Sequence, residues 1–286
     1  MAETRHPESP SPLPSPFKGE GAAKGQASFK GEEAAKRHED TALVRERVAK
    51  AKNVMVITGA GISAECGIPT FRDDKGLWNE FNPLDYATRE AFRRDPVKVW
   101  KWYDERRVNM ARARPNPAHQ ALAAMAQPGR RVFIVTQNVD DLHEQAGSKE
   151  VVHIHGSLWR IRCERDGTVL ENREVPLSEL PPLCMCGEIM RPDIVWFGEN
   201  LPWQPVEQIR HYFLEGRIDL CLVVGTEASF GYIRQWALQA HEAGAMLVDV
   251  NCRTGVAATN PRGTGLGSII DVHLRGKAGE VLPELL

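Results

Sequence analysis

The sequence predicts an α/β fold in which a doubly wound parallel sheet has helices on both faces. Apolar runs rich in β-branched residues recur along the chain, which is typical of strands that are buried on both faces. Helical patterns separate these runs, and polar residues follow them directly, where such sheets bind ligands. The six predicted strands are Val54–Ile57, Arg131–Val135, Val151–Ile154, Asp219–Val224, Met246–Val250 and Ile269–Val272.

Helices are predicted before the first strand and between the later ones. The first is expected to begin near Thr41, whose hydroxyl can cap it. Proline favours the first turn of a helix, so Pro96 and Pro117 predict the starts of two helices in a helical module after the first strand. A last helix is expected from about Ala278.

Two segments depart from this alternation of strands and helices. Residues 1–40 are rich in Pro, Ser, Gly, Glu and Lys and poor in large apolar side chains, so we expect them to be disordered. The folded domain is then expected to span residues 41–286. Within it, residues 158–192 carry cysteines, many charges and the pair Pro181-Pro182, and they are expected to form a small inserted lobe.

The composition argues against several classes of partner. The formal net charge is −2, so no nucleic-acid partner is expected. No apolar run approaches the length of a membrane span, so no membrane partner is expected either. Six cysteines in 286 residues do not make a disulfide scaffold, and a reducing, cytoplasmic setting is the expectation.

The turn that follows the first strand, Gly59-Ala60-Gly61, is typical of phosphate-binding loops. Its glycines let the backbone turn sharply and approach a pyrophosphate, while bare N–H groups face the anion. A helix normally follows such a turn at once, but Gly67 and Pro69 would break it. We therefore expect a dinucleotide-binding turn that continues as an irregular segment.

Polar residues also follow the next two strands. Gln137, Asn138 and Asp140 supply two amides and a carboxylate, which suit a carboxamide and ribose hydroxyls. His155 ends the third strand and Gly156 leaves its ring uncrowded, which predicts a general base there. An isolated histidine would more often be a hydrogen-bonded core residue, but the dinucleotide turn at the same sheet edge favours the catalytic interpretation.

These motifs, in this order, resemble those of the sirtuins, the NAD-dependent protein deacylases. The resemblance covers roughly residues 44–285, and it implies a Rossmann-like sheet, NAD as a consumed co-substrate and acyl-lysine proteins as partners. The matching segments are Gly59–Ser63, Gly67–Asp73, Gly76–Trp78, Thr136–Asp140, His155-Gly156, Arg191-Pro192, Val195–Glu199, Gly225-Thr226 and Asn251.

The resemblance also implies the chemistry. The acyl-lysine amide oxygen attacks the ribose carbon as nicotinamide leaves, His155 deprotonates a ribose hydroxyl that then attacks the imidate carbon, and water completes the reaction. The products are free lysine and O-acyl-ADP-ribose. The implied catalytic residues are His155, Asn138 and Asp140. The implied NAD-binding residues are Gly59, Ala60, Gly61, Ser63, Glu65, Phe71, Arg72, Gln137, Asn138, Asp140, Gly225, Thr226, Glu227, Asn251 and Ala278.

Two further segments are expected to contact the acylated substrate. Val195, Phe197 and Gly198 would pair with the substrate peptide as an added strand. Tyr103 and Arg106 lie three residues apart on one helix, hence on one face, and a phenol with a guanidinium makes a carboxylate clamp. This pair resembles the one in class III sirtuins, which prefer succinyl and malonyl groups. The same spacing also occurs on exposed amphipathic helices that bind nothing.

The sequence departs from the sirtuin pattern in the lobe and beside Thr226. Where the family has two Cys-x-x-Cys pairs, this chain has Cys163 with Asp166 and the shorter pair Cys184-Met-Cys186. The compressed spacing alters the chelate geometry, so we expect no bound zinc. Glu227 replaces the usual serine after Thr226, and its carboxylate would face NAD phosphates unfavourably if it lay close to them.

Three alternatives remain open at the level of sequence. A conventional Rossmann dehydrogenase is disfavoured by Gly67 and Pro69, which leave no helix on the glycine turn. A non-catalytic sensor of NAD or acyl-lysine is disfavoured by the complete set His155, Asn138 and Asp140. The third alternative is ADP-ribosyl transfer to protein.

Overall fold

The computed structural model describes residues 21–70, 80–252 and 266–286, with side chains for residue 32 and from residue 34 onward within these ranges. The chain divides into two units, residues 1–38 and 39–286. The predicted NAD-binding residues Phe71 and Arg72 lie outside the described residues.

The first helix, α1, spans Gly21–Lys50. It begins well before Thr41 and includes residues 21–40, for which disorder was predicted. Alanine, lysine and glutamate are frequent in this stretch, and all three have high intrinsic helix propensity. Towards the end of the helix, Val44 and Val48 are buried in the core.

Nine strands are present in the described ranges, and six of them form one parallel sheet in the order β3-β2-β1-β7-β8-β9. This order reverses its direction of growth between β1 and β7. The strands are β1 (Asn53–Thr58), β2 (Arg131–Thr136), β3 (Glu150–His153), β4 (Gly156–Cys163), β5 (Val169–Glu171), β6 (Met190–Ile194), β7 (Leu220–Val224), β8 (Met246–Asn251) and β9 (Val272–Arg275).

Helices pack on both faces of this sheet. One apolar cluster joins α1 to residues of α4 and α8, and the other joins β7 to residues of α6 and α7. The predicted doubly wound architecture is therefore confirmed. The helices after α1 in the described ranges are α2 (Arg89–Arg94), α3 (Pro96–Arg112), α4 (Pro117–Met125), α5 (Leu142–Gln145), α6 (Trp203–Leu214), α7 (Gly231–Glu242) and α8 (Ala278–Val281).

The sixth predicted strand is displaced along the chain. It was expected over Ile269–Val272, whereas β9 begins only at Val272. Ile269 and Ile270 instead pack against the cluster on the α6 and α7 face, after a short 3₁₀ turn at Leu266–Ser268. Their apolar, β-branched side chains are partly buried against this cluster, and the sequence pattern alone cannot distinguish such packing from strand pairing.

The predicted lobe is a small antiparallel sheet of order β5-β4-β6. It does not have a core of its own, because its apolar side chains join those of α2 and α3 in one cluster. Buried polar side chains of α3 also reach it: the Trp100 indole donates to the Met190 carbonyl at 2.7 Å, and Arg107 donates to the Leu158 carbonyl at 2.7 Å. The lobe and the helical module therefore form one packing unit.

Across the described ranges, no helix combines the length and the hydrophobicity that crossing a lipid bilayer requires.

Candidate active site

The turns after β1 and β7 meet at the carboxyl end of the sheet. Gly59 N–H donates to the Val224 carbonyl at 3.0 Å, and Gly61 N–H donates to the Gly225 carbonyl at 2.9 Å. A Cβ on Gly61 would lie 2.8 Å from the Gly225 Cα, and Gly225 itself has φ +59°. Only glycine allows two backbones to approach this closely at both positions.

No α-helix follows the glycine turn in its described part. Two 3₁₀ turns, Ala60–Ile62 and Ala64–Cys66, occupy this place, and Gly67 then adopts a left-handed conformation. The predicted interruption of the helix at Gly67 is thus confirmed.

Three of the predicted site residues, Asn138, Ser63 and Asp140, are joined by buried hydrogen bonds. Asn138 Nδ2 donates to the Gly59 carbonyl at 3.1 Å and to Ser63 Oγ at 3.1 Å. Ser63 Oγ in turn donates to Asp140 Oδ2 at 3.0 Å, and Leu142 N–H donates to Asp140 Oδ1 at 3.1 Å. Burial nevertheless raises the pKa of Asp140 above its usual value, because the carboxylate loses its hydration.

The predicted adenosine-side residues also contact one another. Gln137 Nε2 donates to Thr226 Oγ1 at 2.9 Å, and Asn251 Nδ2 donates to the Thr226 carbonyl at 3.2 Å. Thr226 is buried, whereas the neighbouring Glu227 is exposed. The exposed carboxylate is hydrated, so its repulsion of a phosphate would be weak.

Glu65 and Ala278 come together at the start of α8. The Glu65 carboxylate accepts a hydrogen bond from the Gly279 N–H at 2.9 Å, and Ala278 beside it is buried. The glycine turn is thereby fastened to the C-terminal helix. This hydrogen bond gives Glu65 a structural role.

His155 has both ring nitrogens engaged. Its Nδ1 lies 3.0 Å from the Gln137 carbonyl oxygen, and its Nε2 lies 2.6 Å from the Tyr232 hydroxyl. A carbonyl can only accept, so Nδ1 carries the proton of the neutral ring and Nε2 carries the lone pair. The adjacent Gly156 has φ +83°, and a Cβ there would lie 1.9 Å from the Asp193 carbonyl oxygen.

Tyr232 was missed at the level of sequence. It lies in the first turn of α7, far from His155 along the chain, and it falls in no motif. Its only sequence signal is its place shortly after the Gly225-Thr226 turn, where the loop residues of such a sheet edge gather.

The predicted substrate segment runs from β6 past His155. Val195 N–H donates to the His155 carbonyl at 2.9 Å, and Phe197 N–H donates to the Ala87 carbonyl at 2.9 Å. Phe197 and Gly198 are exposed. The segment is thus hydrogen-bonded to His155 through Val195, while Phe197 and Gly198 remain accessible.

Tyr103 and Arg106 both lie against aromatic side chains. Tyr103 is buried and its hydroxyl accepts from the Trp196 indole at 2.9 Å. The Arg106 guanidinium lies 3.4 Å from the centre of the Trp102 ring, and burial lowers its pKa to about 10. No hydrogen bond joins Tyr103 to Arg106 in the described part of the chain. The two side chains share one region, but the structure does not show them forming a clamp.

The lobe residues with metal-ligand chemistry converge. The donor atoms of Cys163, Asp166, Cys184 and Cys186 all lie within 4.8 Å of one another. Two of the separations are 3.6 Å, between Sγ of Cys163 and Cys186, and 3.5 Å, between Sγ of Cys184 and Oδ2 of Asp166. Tetrahedral zinc with thiolate ligands at about 2.3 Å requires separations of this size. The four donors therefore fit zinc despite the compressed spacing, which removes the geometric reason for expecting none.

Comparison with known proteins identifies one family. The Sir2 family profile matches residues 59–230. The chain is 44% identical over 247 residues to NAD-dependent protein deacylase 2 of Pyrobaculum aerophilum, covering 85% of this chain and 93% of that protein. It is also 46% identical over 250 residues to the NAD-dependent protein deacylase of Thermus thermophilus, covering 85% of this chain and 92% of that protein.

Solved structures agree with the sequence matches. A Sir2 homologue in complex with NAD superposes with a TM-score of 0.75 at 40% identity, covering 84% of this chain and 90% of that one. A Sir2 variant bound to a deacetylated peptide and 3′-O-acetyl ADP-ribose superposes with a TM-score of 0.70 at 26% identity, covering 84% of this chain and 95% of that one.

We expect Asp140→Asn to lower activity while stabilising the fold at neutral pH. The raised pKa of Asp140 means that its ionised form is disfavoured in the folded protein. This penalty is absent below the unfolded-state pKa, grows as pH rises through the folded-state pKa, and is complete above it. Urea denaturation of both proteins from pH 4 to pH 8 should show the variant's advantage growing with pH. A variant that is less stable by the same amount at every pH would contradict this expectation.

We expect protein purified without chelators to contain about one zinc ion per chain, measured by elemental analysis. Cys184→Ser should lose the metal and lower the melting temperature, because one thiolate ligand is gone. Cys252→Ser, which changes an exposed cysteine outside the cluster, is the matched control and should retain the metal. A metal-free wild-type protein that melts like Cys184→Ser would refute the zinc site.

Proposed function

The chain belongs to the Sir2 family, and we propose that it is an NAD-dependent deacylase of lysine side chains in proteins. The observation that carries this proposal is the tautomer of His155. Its Nε2 lone pair lies at the sheet edge where the Asn138–Ser63–Asp140 chain also ends. A neutral imidazole whose lone pair lies on Nε2, the nitrogen that faces the Tyr232 hydroxyl, can accept a proton as a general base must.

NAD is consumed as a co-substrate, and different residues would bind its two halves. Gly59 and Gly61, which carry no side chain, would let the turn approach the phosphates closely, with their own N–H groups bonded to the Val224 and Gly225 carbonyls. Thr226 and Asn251 would contact the adenosine half. Asn138 and Asp140 would hold the nicotinamide and its ribose. Because these side chains already hydrogen-bond one another, little reordering is needed when NAD binds.

His155 would act in the second half of the reaction. Nicotinamide leaves as the acyl-lysine amide oxygen bonds to the ribose carbon. His155 then accepts a ribose hydroxyl proton, so that the alkoxide attacks the acyl carbon and O-acyl-ADP-ribose forms. The similar Sir2 variant bound to a deacetylated peptide and 3′-O-acetyl ADP-ribose supports products of this class.

The acylated peptide would lie along the segment Val195–Gly198 and pair with it as an added strand. The N–H groups of Val195 and Phe197 are already bonded within the protein, so the pairing would use the carbonyl groups and Gly198. For the acyl chain, we propose that Tyr103 and Arg106 select succinyl and malonyl groups. A desolvated guanidinium binds a carboxylate more strongly than a hydrated one does, and Arg106 is partly desolvated.

The test is nicotinamide release from NAD in the presence of acetyl-, succinyl- or malonyl-lysine peptides. Wild-type protein should release nicotinamide only with an acylated peptide. His155→Ala should lower deacylated product by about 100-fold or more, the loss expected of a general base. His211→Ala, which removes an exposed histidine on α6, is the matched control. Acyl-independent release, with radiolabel transferred from NAD to protein, would indicate ADP-ribosyl transfer instead, and binding without release would indicate a sensor.

We expect Arg106→Met to lower kcat/KM for succinyl-lysine by about 10- to 100-fold, the worth of a charge-assisted hydrogen-bond pair. Deacetylation should fall much less, because an acetyl group has no carboxylate. Arg112→Met alters an exposed arginine on the same helix and should affect neither activity. Equal losses of desuccinylation and deacetylation in Arg106→Met would show that Arg106 supports the fold and does not select the acyl group.

A further inference from the structure

The basic nitrogen of His155 is already in contact with a side chain that the proposed reaction does not use. Tyr232 O–H lies 2.6 Å from His155 Nε2, and the two rings are 6.1 Å apart and nearly perpendicular. Since Nε2 carries the lone pair, the phenol donates this hydrogen bond. A ribose hydroxyl that gives its proton to His155 must therefore either displace Tyr232 or pass the proton through it.

Aromatic packing holds Tyr232 in this place. Its ring is stacked on Phe230 at 5.3 Å with an interplanar angle of 8°, and Trp236 lies 5.5 Å from it. Phe230 also meets the His155 ring edge-on at 5.5 Å. Displacing the phenol would break these contacts, each of which contributes to packing beyond simple burial. A relay leaves them all in place.

The position of Tyr232 in the fold supports the same conclusion. It comes from the first turn of α7, directly after the β7 loop that carries Gly225 and Thr226. His155 follows β3, and Gln137, whose carbonyl fixes the His155 tautomer, also donates its side-chain amide to Thr226. Tyr232 therefore approaches His155 from the β7 side of the crevice, so its hydroxyl lies between the β7 loop and the basic nitrogen.

We propose that Tyr232 relays the ribose hydroxyl proton to His155. This inference rests on the proposed function, in which His155 is the base. The ribose O–H bond breaks as its proton bonds to the Tyr232 oxygen, while the original Tyr232 O–H bond breaks as that proton bonds to His155 Nε2. Tyr232 ends as a neutral phenol and His155 as an imidazolium. The ribose oxygen keeps the electron pair with which it attacks the acyl carbon.

The relay acts after nicotinamide has left, so the two halves of the reaction should respond differently to its removal. Tyr232→Phe keeps the stacked ring and removes only the hydroxyl. We expect deacylated peptide to form about 10- to 100-fold more slowly, while exchange of labelled nicotinamide into NAD, which reports the first half, is nearly unchanged. Tyr212→Phe is the matched control, because it removes a hydroxyl that bonds Asn53 instead, and it should leave both rates unchanged.

A second measurement reports how many protons move during deacylation. In mixtures of H₂O and D₂O, the wild-type deacylation rate should depend on the deuterium fraction with the curvature of two moving protons. Tyr232→Phe should lose that curvature. Deacylation that is unchanged or faster in Tyr232→Phe would overturn the relay, as would exchange and deacylation that fall together. If instead the wild type releases no nicotinamide with any acyl peptide, the proposed function itself fails, which is a separate result.

Discussion

Backbone contact between the turn after β1 and the turn after β7 determines the geometry of the whole site. The order of the parallel sheet reverses between these two neighbouring strands, so their following segments diverge to opposite faces and leave a crevice. Gly61 and Gly225 bring the floor of this crevice together through a direct N–H to carbonyl bond. Any side chain at either position would separate the turns and shift the groups that depend on them, including Asn138, which donates to Gly59.

The polar groups at this edge hold one another in place before a ligand arrives. Buried polar atoms are tolerated only when they are hydrogen-bonded, and the chain Asn138–Ser63–Asp140 satisfies that requirement internally. The same requirement fixes the His155 tautomer through the Gln137 carbonyl. Asp140 is the exception in this arrangement, because burial raises its pKa and disfavours its ionised form even though Ser63 and Leu142 donate hydrogen bonds to it.

Much of this arrangement could be predicted from the sequence, because it depends on local signals. The strands β1, β2 and β7 are unbroken apolar runs, and the residues after them follow at fixed short distances, so Gln137, Asn138 and Thr226 were placed correctly at one edge. Features that depend on tertiary packing were harder. Ile269 and Ile270 are partly buried without strand pairing, and the lobe shares its core with α3. Tyr232 is 77 positions from His155 in the sequence, and no motif indicates that the two side chains are in contact.

The lobe and the nucleotide crevice are connected through the segment that follows β6. Arg191 is fully buried, lies 3.4 Å from the Trp196 ring centre and pairs with Glu199 at 2.6 Å. Glu199 in turn accepts the Trp196 N–H, and the Trp196 indole donates to Tyr103. The proposed peptide-binding segment is therefore shaped from the lobe side, and its only backbone link to the crevice among the bonds described above is the one from Val195 to His155. It follows that disturbing the cluster of Cys163, Asp166, Cys184 and Cys186 would act mainly on the proposed peptide-binding segment, since the glycine turns that would receive NAD are built without any lobe residue.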